Sequence, residues 1–143
     1  MPSNAAVPSS NALPDPNWRM PKRPRIYPHT QTRVFGFALS IEQQVAIADQ
    51  FNLKPNAKSL ARATAGRCQL VKMVPPEWQN VTTVVWKGDE ADDTAVRVSC
   101  LFHNSNVTQE EVDNLPNRDS IKKVWEIIGC DHEGPRWYKY TRV

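Results

Sequence analysis

Glycine is scarce in this chain, with five in 143 residues, and none stands in an array able to wrap a phosphate. That excludes a Walker-type loop or a dinucleotide-binding turn, both of which need glycines where the backbone closes on phosphate oxygens. The tetrad Asp89-Glu90-Ala91-Asp92 spells a helicase signature, but no phosphate loop accompanies it and it falls in a hairpin connection.

Cysteine is equally sparse. Cys68, Cys100 and Cys130 are odd in number and far apart, which excludes the disulfide framework of a small secreted domain. Cys68 in RCQLV and Cys100 in VSCLF read as reduced thiols acting as small hydrophobes.

Long apolar runs are missing as well. Nothing approaches the roughly 18 residues that cross a bilayer, and MPSNAAVPSSNALPDP lacks the charged start and apolar stretch of a secretory signal. The expectation is an intracellular protein of the nucleus or cytoplasm with no membrane partner. The Asn80-Val81-Thr82 and Asn106-Val107-Thr108 glycosylation patterns then carry no meaning.

What the chain does have is a division of charge. Residues 1–33 hold seven of the twelve prolines and five bases, Arg19, Lys22, Arg23, Arg25 and Arg33, against the single acid Asp15, a net of +4. The remaining 110 residues, with thirteen bases and fourteen acids, are near neutral. A Pro-, Ser- and Asn-rich stretch without apolar periodicity cannot offset the entropy of ordering by burial, so residues 1–32 are expected to be a disordered basic arm. Trp18, Ile26 and Tyr27 are its only large apolar groups apart from methionine and leucine, and they flank the basic cluster as anchors for the domain or a partner.

Residues 33–143 carry the pattern of one domain, long enough to bury a core without metal or disulfide. From Arg33 the chain alternates, with Phe35, Phe37 and Leu39 on one face of a strand. Ser40 and Gln43 form a capping box, and Ile41, Val45, Ala48 and Phe51 follow at helical spacing. A second helical stretch is expected from Pro55 to Gly66, then a strand over 67–74 stopped by Pro75 and Pro76. TTVVWKG and TAVRVSCLFH read as a hairpin, and Thr108 with Glu111 as a second capping box. Ile121, Val124, Trp125 and Ile128 mark the strongest helix, ended by Gly129, and RWYKYTRV is the last strand. The predicted fold is α+β: an antiparallel sheet of four to five strands with helices on one face, with ferredoxin-like (split βαβ) as the expected topology.

Three constellations compete for function. The first joins Lys22, Arg23 and Arg25 of the arm to Arg136, Tyr138, Tyr140 and Arg142, which alternation puts on one face of the last strand. Cations interleaved with rings suit contact with another macromolecule, and a protein partner is favoured. The second is nucleic-acid binding by the same residues, with Lys22-Arg23-Pro24-Arg25 spaced as a nuclear-import signal. The third is a small enzyme or structural metal site drawn from Cys100, His103, Cys130 and His132. Its spacing is against it, because residues three apart on a strand point to opposite faces. The expected function is a non-enzymatic interaction module that needs no cofactor.

Overall fold

The computed structural model describes residues 12–86 and 96–140. β1 (Arg33–Leu39) leads through the Ser40 cap into α1 (Ile41–Gln50), followed by α2 (Ser59–Met73) and a 3-10 turn (Pro76–Trp78). β2 (Asn80–Trp86) and β3 (Val96–Ser105) come next, then α3 (Gln109–Asp113), α4 (Arg118–Ile128) and β4 (Arg136–Lys139). The four strands form one sheet in the order β2-β3-β1-β4, with every neighbouring pair antiparallel. The fold is α+β, with a four-strand antiparallel sheet and four α-helices among the described residues.

The helix starts are set by side chains that take up orphan backbone donors. Ser40 and Gln43 close a reciprocal capping box on α1. Thr108 caps α3 by accepting from the Glu111 N–H, but the Glu111 carboxylate turns to Ser105 instead of closing the box. Asn117 caps α4 through the Ser120 N–H, and Gly129 ends it.

The core lies between the sheet and the helices. Phe35, Phe37 and Leu39 of β1 and Leu101 of β3 meet Leu70 of α2 and Ile121, Val124 and Trp125 of α4. Phe37 is its centre, with Trp78 at 5.5 Å, Trp125 at 6.2 Å and the His132 ring at 5.3 Å between centroids.

Two sequence expectations are corrected here. Residues 67–74 form no strand: α2 runs unbroken through Gly66 to Met73. The reason is periodicity across the supposed break, since Ala63, Gly66 and Leu70 lie on one buried helical stripe. Gly66 is the crossing point with α1 rather than a helix stop, because a Cβ there would overlap the Gln44 carbonyl oxygen. In turn α1 buries Gln44, Ile47 and Ala48, while Ile41 and Phe51, expected inside, are exposed.

The face of the sheet away from the helices is also buried. Val34, Ala38, Val84, Cys100 and Tyr138 form a second apolar cluster, drawn entirely from strands among the described residues. Its cover is the sheet itself. Val84 of β2 forms an antiparallel bridge with Tyr140, just beyond β4, so the two outer strands meet and the sheet curls on that face.

Residues 12–32 of the expected arm make contacts with the domain. Leu13 is part of the main core, and the chain from Arg25 to Arg33 is held by Asn106. Residues 1–11 of the expected arm lie outside the described residues, as does the acidic connection of the β2–β3 hairpin.

Candidate functional site

The arm is held at two places. Asn106, fully buried at the end of β3, donates from Nδ2 to the carbonyls of Arg25 (3.0 Å) and Gln31 (2.9 Å) and accepts at Oδ1 from the Arg33 N–H (2.7 Å). Its main chain also receives the Tyr27 N–H at 2.9 Å. Every hydrogen-bonding group of this buried amide is used. An asparagine so placed has no Nδ2 free for a glycan in the folded chain.

The second hold is Trp18. Its indole stands edge-on to Trp125 (6.0 Å, 78°) and donates to the Pro135 carbonyl at 3.2 Å. Gly134, at φ +100°, makes the space: a Cβ there would come within 2.7 Å of both Trp18 and Trp125. Aromatic rings in edge contact with a satisfied N–H make a compact anchor.

Between these holds the arm crosses the start of β4 and leaves an open cleft of about 520 Å³. Arg19, Lys22 and Arg136 bring cations to it, Asp15 and Glu133 bring carboxylates, and Trp18 and Trp137 bring indole surface. Trp137 packs on Phe35 at 5.5 Å, and its buried Nε1–H has no hydrogen-bond partner. Among the described residues the lining offers no thiol, hydroxyl or imidazole.

The structure thus joins part of the first constellation. Lys22 and Arg136 share the cleft. Arg23 instead pairs with Asp113 at 3.3 Å, an exposed contact of little energetic weight. Arg25 is fixed through its carbonyl while its side chain is exposed. Tyr138 and Tyr140 turn toward the second apolar cluster, because that face of β4 is the one the curled sheet closes over. Arg142 lies outside the described residues. Asp15, Trp18, Arg19, Glu133 and Trp137 complete the cleft without having been singled out together. Trp18 carried the one usable signal, as the only tryptophan in a proline-rich segment.

Burial governs the titratable groups near β4. The His132 imidazole is buried, and desolvation is the main cause of a pKa below the ordinary 6.5, opposed by its bond to Ala38 and by Glu133 and Asp131. Its Nε2–H donates to the Ala38 carbonyl (2.6 Å) while Nδ1 accepts from the Gly134 N–H (2.9 Å), which identifies the neutral tautomer. Desolvation raises Cys100 and Tyr138 strongly.

The four metal candidates do not converge. Cys100 faces the second cluster, His103 packs on Trp78 at 5.1 Å and contacts Asn104, and Cys130 is exposed past α4. Both nitrogens of His132 are engaged by backbone, and no group of three or more metal-ligating side chains occurs among the described residues. No helix of the described residues is long and apolar enough to cross a membrane. Comparison with protein-family models, with curated proteins and with solved structures found no match to this chain.

Proposed function

We propose that the protein is a non-enzymatic interaction module whose contact surface is the cleft between the arm and β4. The observation that carries this reading is the meeting of Arg19, Lys22 and Arg136 with two indoles in one open cleft. Tryptophan and arginine are the side chains that most often dominate the energetics of interfaces. The unpartnered Trp137 N–H adds a donor that a small rearrangement could offer to an incoming carbonyl.

A protein segment is the favoured partner over nucleic acid. Asp15 and Glu133 stand in the same cleft as the cations, and a phosphate backbone would meet their repulsion at each pass. A peptide carrying both signs of charge meets complementary groups. The strand order β2-β3-β1-β4, with β3 between β1 and β2, supports the ferredoxin-like reading of the topology.

The test is affinity capture from cell extract, with and without nuclease treatment, using the native protein beside a Lys22→Glu/Arg136→Glu double variant. A protein retained by the native chain and lost by the variant supports the proposal. A ligand that disappears on nuclease treatment transfers the site to nucleic acid, and equal capture by both chains overturns it.

A further inference from the structure

A second cavity lies on the far side of the domain, where α1 and α2 meet the β2–β3 half of the sheet. It holds about 210 Å³ and is separate from the arm. Its polar groups are Gln44 of α1, Arg67 of α2, Arg97 of β3 and the hydroxyl-bearing Thr64, Thr83 and Ser99, and among the described residues its lining has no acid.

Arg67 is built into place. Its Nη1 donates to Gln44 Oε1 at 3.0 Å and to Ser99 Oγ at 3.4 Å. Gln44 is only 4% exposed, and its own Nε2 is spent on the carbonyls of Leu39 and Ser40. A buried glutamine on the core side of a helix is costly unless fully bonded, and here its remaining acceptor orients a guanidinium. Two neutral acceptors therefore hold a half-buried cation that has no carboxylate partner among the described residues. A guanidinium has five donors in a planar fork, and Nη1 supplies only two of them. Arg97 adds a second, exposed cation at the same cavity.

The rim has a different character. Ile41 and Leu60, 45% and 69% exposed, border the cavity and leave large apolar surface in water. The geometry points to a binding site for a small organic anion, whose carboxylate or phosphate group sits between Arg67 and Arg97 and whose short apolar body covers Ile41 and Leu60. The volume, below that of drug-sized pockets, restricts the ligand to a few carbons beyond its head group.

Calorimetric titration of the full chain with hexanoate, hexyl phosphate, inorganic phosphate and hexanol tests the assignment. Saturable binding of hexanoate or hexyl phosphate is expected, weakened by salt, with hexanol at least about tenfold weaker because it lacks the charge that the arginines meet. The stronger of the two anions identifies carboxylate or phosphate as the head group. Arg67→Gln should abolish binding. Arg97→Gln, at an exposed position, should weaken it about tenfold. Lys22→Gln/Arg136→Gln in the other cleft should change nothing. Repeating the titration with Asp89, Glu90, Asp92 and Asp93 replaced by their amides removes competition from the chain's own acids. No saturable binding by that chain, hexanol binding as well as the anions, or indifference to Arg97→Gln each overturns the proposal.

Discussion

Asn106 and Arg33 are joined twice: the Asn106 N–H donates to the Arg33 carbonyl at 3.1 Å, and the Arg33 N–H donates to Asn106 Oδ1 at 2.7 Å. The same side chain ties down the carbonyls of Arg25 and Gln31, so one buried amide joins the arm to the end of β3. Asn106→Ala leaves a donor and two acceptors of the buried turn unmatched and is expected to cost about 2–4 kcal/mol. Asn106→Asp should cost at least as much, because a carboxylate faces two carbonyl oxygens. Urea denaturation of the two variants measures both; a loss under about 0.5 kcal/mol would show that water replaces the amide freely.

The arm belongs to the folded core through Leu13 and Trp18. Trp18→Ala uncovers Trp125 and forfeits the bond to Pro135, with an expected loss of about 2–3 kcal/mol, less than for a fully buried tryptophan. A chain shortened to residues 33–143 should be less stable still. Equal thermal midpoints for the full and shortened chains would refute the arm's structural role.

At the crossing of α1 and α2, Gly66→Ala places a methyl group where the Gln44 carbonyl oxygen stands. The helices must separate, at a cost of about 1–3 kcal/mol for overpacking. Calorimetry should show a lowered midpoint, and an unchanged or raised one would contradict the close backbone approach.

His132 makes stability depend on pH. Its pKa is lowered in the folded chain, so below the unfolded value of 6.5 the unfolded state takes up a proton that the native ring refuses. The contribution is complete above pH 6.5 and declines as pH falls through the window beneath it. Thermal midpoints should drop between pH 7 and pH 5, and His132→Gln should flatten that part of the profile. A profile of the same slope in the variant would assign the dependence elsewhere.

Thiol reactivity should divide two to one. Cys68 and Cys130 are exposed and should react with a disulfide reagent within the mixing phase, while Cys100, buried with its pKa driven up by desolvation, should react only as the chain unfolds. Three fast thiols in the native protein would mean that the curled sheet opens readily.

The sequence announced the elements whose pattern is local. The alternation of Phe35, Phe37 and Leu39, the Ser40–Gln43 box and the Ile121–Val124–Trp125 stripe reappear in β1, α1 and α4. The 67–74 segment misled because a short apolar run fits either period, and contact between Gly66 and α1 decides in favour of the helix. For the candidate site, Lys22 and Arg136 were legible as cations near rings, whereas Trp137 and Glu133 gained their place only when the arm lay across β4.

By itself the sequence determined the α+β class, the hairpin and the concentration of charge in the arm, since each follows from spacing and composition over a few residues. Tertiary structure alone decided that residues 12–32 are laid on the domain, that Tyr138 faces inward and that Arg67 is clamped by Gln44 and Ser99. Each of those outcomes depends on groups far apart in the chain. Asn106 meets Arg25 across 81 positions and Trp18 meets Pro135 across 117, and no local pattern encodes such pairs.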